Sequence, residues 1–237
     1  MSTFISPPRP QIIYPDDDGL PMSDNTLQFK WIVTIEGGID AVFIDDPSVF
    51  VAGNLLWYPV EGRPDIRSAP DVMVAFGRPK GYRGSYRQWE EAGIAPQVVF
   101  EILSPGNRAG AMERKLQFYE RHGIEEYYIY DPDHGDLVGW RRSGPILEEI
   151  ADMADFESPL LKIRFQPGPG PDNLKIIGPD GEPFVTYAEL ARQRTADRQV
   201  AEAKTRLAEE QTRLAEEQTQ RAERLAARLR ELGIEPE

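Results

Sequence analysis

The stretch Gln97-Val98-Val99-Phe100-Glu101-Ile102-Leu103-Ser104-Pro105 decides how the rest of the chain is read. It is an apolar run with one carboxylate in its middle, and Ser-Pro ends it. As a strand, it places Val98, Phe100 and Ile102 on one face and Val99, Glu101 and Leu103 on the other. Both faces are apolar, so the strand is expected at the centre of a sheet covered on both sides. A lone carboxylate there is costly unless it meets a metal, a cation or several donors. The fold and the function both turn on what Glu101 meets.

The chain as a whole narrows the answer. Its 237 residues suffice for one sizeable domain and an extension. It has no cysteine, which excludes disulfides, thiolate metal sites and cysteine catalysis. Its two histidines, His122 and His134, are too few for a histidine-rich zinc site. No apolar run reaches the length of a membrane span, and residues 1–10 lack the apolar core of a signal peptide. A cytoplasmic protein with no membrane partner is the expectation. The net charge of -13 repels nucleic acid at long range, so any contact with DNA needs a local basic patch.

Read in order, residues 1–22 are rich in Pro and Asp and are expected to form a flexible arm. Ser23-Asp24 is placed to cap a helix over 25–36, which Gly37-Gly38 would end. Extended segments are expected at 49–52 and 55–60. Pro70-Asp71-Val72-Met73-Val74-Ala75-Phe76 is a second strong strand with Asp71 at its start. The loop RPKGYRGSYRQW, 78–89, carries Arg78, Lys80, Arg83 and Arg87 among three aromatic residues. That composition suits phosphate contacts with stacking, and equally a solvated surface loop.

After the Glu101 strand and the turn Pro105-Gly106-Asn107, a helix is expected over 109–122, stopped by Gly123. A strand at 124–130 then turns back through Asp131-Pro132-Asp133-His134-Gly135-Asp136 into 137–141. The acids of that turn lack the distal Glu of a calcium loop, so a plain hairpin is expected. Segments 147–153 and 160–165 read as edge strands. Beyond the break Pro167-Gly168-Pro169-Gly170-Pro171, Thr186-Tyr187-Ala188-Glu189 matches a capping box, and a long helix runs to about residue 232, ended by Gly233. TRLAEEQ occurs there twice in tandem, at 205–211 and 212–218. The period of seven suggests a coiled coil, although Lys204, Gln211 and Gln218 make one seam line polar. A homodimer or a partner helix is the expected use, with a solvated helix held by i,i+4 ion pairs as the alternative. The expected organisation is an arm at 1–22, a domain at 23–185 and a helix at 186–237.

The helix over 109–122 carries an anomaly. At about 100° per residue, Ala111, Met112, Phe118, Tyr119 and His122 fall within about 60° of Lys115. Lys115 therefore sits in the middle of the apolar stripe. This helix follows the Glu101 strand directly, so its inner face can pack over that strand's end. Two strand carboxylates, Asp71 and Glu101, and one inward lysine make a coherent site. Close carboxylates need a cation between them, and an oxygen-only donor set selects Mg²⁺ or Mn²⁺ over Zn²⁺. A lysine beside such a cation offsets charge on a phosphoryl transition state. The pattern points to metal-assisted phosphodiester hydrolysis. The alternative is a buried ion pair that only fixes the fold.

These residues resemble the PD-(D/E)xK nuclease superfamily and, more closely, the Uma-type restriction endonuclease family of bacteria. The resembling phrases are Pro70-Asp71-Val72, Val99-Phe100-Glu101-Ile102-Leu103-Ser104-Pro105, the segment from Lys115 to Tyr119, Gly123-Ile124-Glu125-Glu126-Tyr127-Tyr128-Ile129-Tyr130-Asp131-Pro132, and the tail Leu225-Ala226-Ala227-Arg228-Leu229-Arg230-Glu231-Leu232-Gly233. The resemblance implies an α+β fold. Its core would be restriction-endonuclease-like, a four-stranded mixed sheet flanked by helices, with a β-hairpin extension and a long C-terminal helix. It also implies DNA as substrate and Mg²⁺ held by Asp71, Glu101 and the carbonyl of Ile102. The chain departs from the superfamily at Leu103, where the motif has lysine, and Lys115 stands where the family's helix lysine serves instead. That departure keeps open a catalytically inactive nuclease fold acting as a binding or assembly module.

Overall fold

A computed structural model describes residues 12–17, 19, 23, 25–105 and 109–231. The expectations for most of the arm, for Asp24, for Gly106-Asn107 and for the helix stop at Gly233 lie outside the described residues. The chain divides into two units, Met1–Thr186 and Tyr187–Glu237.

The first unit begins with α1 (Thr26–Val42), followed by β1 (Val49–Gly53), β2 (Trp57–Tyr58), β3 (Val72–Phe76), β4 (Tyr86–Arg87) and β5 (Val98–Ile102). Then come α2 (Ala109–His122), β6 (Glu126–Asp131), β7 (Asp136–Ser143), β8 (Ile146–Glu149), β9 (Arg164–Gln166) and β10 (Lys175–Ile177). The main sheet has the order β1-β3-β5-β6-β7-β8. The Glu101 strand β5 is central in it, antiparallel to β3 and parallel to β6. A parallel pair needs a crossover, and α2 supplies it. The hairpin β6–β7 and the edge strand β8 bring the sheet to six strands, two more than the resemblance implies. The segment expected as an edge strand at 160–165 contributes instead to β9, which pairs with β10 in a ladder of its own.

The alternation along β5 holds. Val98, Phe100 and Ile102 join the core under α1 and the 153–176 segment, whereas Val99 joins the core under α2. On the second face Trp57 and Tyr86, from the parallel pair β2–β4, pack with Tyr119 and Tyr127.

Helix α1 does not stop at Gly37-Gly38. It runs to Val42, and its N-cap is Asn25, whose side chain accepts the Gln28 N–H at 2.8 Å. Two interior glycines cost a helix about 2 kcal/mol. Burial of Trp31, Ile32, Ile35 and Ile39 returns about 6–12 kcal/mol, so packing wins. Gly38 also has a reason to be glycine: a Cβ there would run into the ring of Phe184.

The second unit is α3 (Tyr187–Glu231), 45 residues with no buried side chain. Val200, Leu207, Leu214 and Leu225 are exposed along it. The turn 131–136 is a hairpin turn, with the Asp131 carboxylate accepting the N–H groups of Asp133 and His134 at 2.9 and 3.2 Å.

Candidate active site

The antiparallel register of β3 and β5 brings the start of one to the end of the other. Asp71, just before β3, thereby reaches Ile102, and its Oδ2 accepts the Ile102 N–H at 2.7 Å. The Ile102 carbonyl accepts from Gln28 Nε2 of α1 at 2.8 Å. The main chain that follows Glu101 is pinned from two elements at once.

Glu101 is 2% exposed, and both of its oxygens are held from α2. Lys115 Nζ donates to Oε2 at 2.6 Å, and the Tyr119 hydroxyl donates to Oε1 at 2.5 Å. Lys115 and Tyr119 are four residues apart, one helical turn, so a single helix face delivers a cation and a phenol to one carboxylate. Ser68 Oγ lies 3.1 Å from the Tyr119 hydroxyl. With its proton committed to Glu101, that hydroxyl must accept from Ser68. Burial, then the Glu101 charge, push the Tyr119 phenol well above the usual tyrosine range, so it stays neutral and donating.

The structure thus brings together Asp71, Glu101, Ile102 and Lys115. Tyr119 and Gln28 were missed as members of the site. Both had a signal: Tyr119 shares the Lys115 face, and Gln28 lies on the inward row of α1 with Ile32, Ile35 and Ile39. A polar residue in an apolar row is the same kind of anomaly as Lys115.

Among the described residues no group of three or more His, Cys, Asp and Glu side chains is placed to hold a metal. The donors at this end of the sheet are two carboxylates and one main-chain carbonyl, all hard oxygens. That set fits a small divalent cation that keeps several waters, as Mg²⁺ does.

The basic loop is differently arranged. Arg78 Nε and Arg83 Nε both bind Glu91, at 2.8 and 2.6 Å. Arg83 also donates to the carbonyls of Gly81 and Pro79 and stacks its guanidinium 3.9 Å from the Phe50 ring centroid. Lys80 pairs with Asp40 at 2.5 Å, and Arg87 pairs with Glu90 at 3.4 Å. Phe50 pairs with Ala75, near the end of β3 opposite Asp71, so Arg83 sits about 10–13 Å of strand away from the carboxylates.

The Glu91 carboxyl lies below its ordinary value of 4.5. The Arg83 hydrogen bond is the main cause, with Arg78 helping and burial opposing. A depressed folded value stabilises above the unfolded value and is lost as pH falls through the folded one. Glu91→Gln is therefore expected to lower stability by about 1–3 kcal/mol at pH 7. The gap from wild type should narrow below about pH 4.5, as read from urea midpoints across pH. A gap that does not change with pH would refute this.

The profile of Uma2, described as "Putative restriction endonuclease", matches residues 35–162, more than half of the chain and the span containing Asp71, Glu101 and Lys115. The chain belongs to the Uma2 family. No curated protein matches this Uma2 chain. It is similar to the crystal structure of a "putative nuclease" from Anabaena variabilis, with 16% identity and a TM-score of 0.44, over 58% of this chain and 75% of that one. Among the described residues no helix of this Uma2 chain is long and apolar enough to cross a membrane.

Proposed function

We propose that this Uma2 chain is a divalent-cation-dependent endonuclease that hydrolyses DNA phosphodiester bonds at Asp71, Glu101 and Lys115. The observation that carries the reading is the 2.6 Å contact between Lys115 Nζ and the buried Glu101 carboxylate, across the strand end where Asp71 also arrives. Asp71, Glu101 and the Ile102 carbonyl would hold the cation, Mg²⁺ or Mn²⁺. When bound, it supplies electrophilic stabilisation of the charge that builds on the phosphoryl group.

The chain's own side chains divide the remaining work. Tyr119 is fully buried and holds Glu101 in one orientation through a proton it does not release. Lys115 is the adaptable member: its side chain is 30% exposed, so its ammonium can swing toward a phosphate at the rim. There it offsets negative charge in the transition state, a task suited to a flexible point charge. Asp71 holds the Ile102 N–H and Gln28 holds the Ile102 carbonyl, so the main chain after Glu101 keeps one direction.

A second reading, a catalytically inactive fold serving binding or assembly, is favoured by Leu103 at the motif-lysine position. In either reading α3, with its exposed Val200, Leu207 and Leu214 at seven-residue spacing, is the element through which a second copy would pair. Purified protein is expected to nick or cut plasmid DNA with Mg²⁺ or Mn²⁺ and to stop on chelation. If it cuts neither single- nor double-stranded DNA with either cation, yet folds and associates, the second reading stands and the first falls.

A further inference from the structure

Tyr127 is fully buried, and its hydroxyl has no hydrogen-bond partner among the described residues. A buried hydroxyl in that state is uncommon in a folded protein. The other buried tyrosines all have partners. Tyr58 donates to the Pro15 carbonyl, Tyr86 to the Ile94 carbonyl, Tyr119 to Glu101 and Tyr128 to Glu126. The Tyr130 hydroxyl accepts the Leu174 N–H.

The position of Tyr127 says where the unused group lies. In the β5–β6 register Val99 stands opposite Tyr127 and Glu101 opposite Ile129. Tyr127 therefore shares the α2 face of the sheet with Glu101, one pleat back along it. Its ring meets Tyr119 edge-on, with centroids 4.9 Å apart, and stacks on Trp140 at 5.2 Å. Those two contacts fix the direction of the ring. Its titration is pushed up by burial and then by the charges of Glu101 and Asp71, so the phenol lies in the field of both carboxylates. It is bonded to neither. Tyr119 links the two groups, its ring edge-on to Tyr127 and its hydroxyl on Glu101, and a buried hydroxyl close to carboxylates is the setting in which an ordered water finds its two to four partners.

We propose that Tyr127 is a positioning residue of the site, its hydroxyl donating to a water held between Asp71 and Glu101, in the coordination layer of a hydrated divalent cation. This rests on the reading of Asp71 and Glu101 as the cation-holding pair. It adds β6 to a site otherwise built from α1, β3, β5 and α2. It also explains why this position carries a phenol, where phenylalanine would fill nearly the same volume.

Tyr127→Phe separates this role from a hydroxyl that is merely stranded. Removing a stranded group leaves thermal stability the same or higher and leaves cation affinity alone. The positioning role predicts that Mn²⁺, titrated into the full-length protein by calorimetry, binds about 10-fold more weakly to Tyr127→Phe. It also predicts a comparable fall in kcat with KM for DNA unchanged. A crystal structure of the wild-type protein provides a readout independent of the variant's folding. A water within about 3.2 Å of the Tyr127 hydroxyl and of either carboxylate supports the role. A hydroxyl bonded to a protein group instead overturns it, as does equal Mn²⁺ affinity in the variant. If Mn²⁺ binding depends on Tyr127 but no DNA is cut, the inference holds and the nuclease reading fails. If DNA is cut and Mn²⁺ affinity ignores Tyr127, the inference fails and the nuclease reading holds.

Discussion

Lys115→Met is expected to slow DNA cleavage by about 10²–10³-fold or more, the usual loss when one charge-stabilising donor is removed from a preorganised site. The same variant should lose about 2–3 kcal/mol of stability, because Glu101 is left buried with one donor and no cation. Methionine keeps the aliphatic bulk of the lysine stem, so packing is not the cause. Glu101→Gln behaves differently. It removes the buried charge, and Lys115, 30% exposed, can extend to solvent. That variant should unfold at nearly the wild-type urea concentration and still not cut. The double variant is the decisive one. If the pair only braces the fold, combining the changes restores stability and cleavage together. If the pair is catalytic, stability recovers while cleavage stays absent. Wild-type cleavage rates in Lys115→Met would remove this residue from the mechanism.

Much of this arrangement is legible in the sequence alone, and for identifiable reasons. Strand β5 and the inward Lys115 follow from the two periodicities of local backbone, 2 and 3.6, which do not depend on tertiary context. Pairing Lys115 with Glu101 needed only the short connection between them. What was not legible depends on partners distant in sequence. Gly37-Gly38 looks like a helix stop because glycine usually is one; burial of Trp31, Ile32, Ile35 and Ile39 carries the helix past it, and Phe184, 146 positions beyond Gly38, is the neighbour that requires a glycine there. The loop at 78–89 looks open because its cations are counted without their acids. One of these, Glu91, lies just beyond the loop, but Asp40 comes from α1. The Tyr127 hydroxyl is legible in neither composition nor spacing, since a missing partner can be seen only once every neighbour has been placed.

The second large effect concerns a carboxylate that does no chemistry in this reading. Glu126 is 1% exposed, on the α1 face of β6, the opposite face from Glu101. Its Oε2 accepts from the Tyr128 hydroxyl at 2.8 Å and from Ser158 Oγ at 2.5 Å, and its Oε1 accepts the Leu160 N–H at 2.9 Å. Ser158 in turn accepts the Leu161 N–H at 2.9 Å. One side chain thus ties the irregular segment after β8 to the middle of the sheet, where Leu161 and Ile163 complete the core. Glu126→Ala strands a phenol, a hydroxyl and an amide together and opens a cavity, a combined cost of about 3–5 kcal/mol. Glu126→Gln keeps one acceptor but turns an amide donor toward two hydroxyls, which can partly rotate to suit, so about 1–2 kcal/mol is expected. Urea unfolding at pH 7 measures both, and limited proteolysis should open the 154–163 segment first in the alanine variant. Cleavage per folded molecule should be unchanged, because the sheet separates Glu126 from Lys115. An alanine variant within about 1 kcal/mol of wild type would mean that the segment is held by its apolar contacts alone. A variant that stays folded but loses cleavage would place Glu126 in the active site instead.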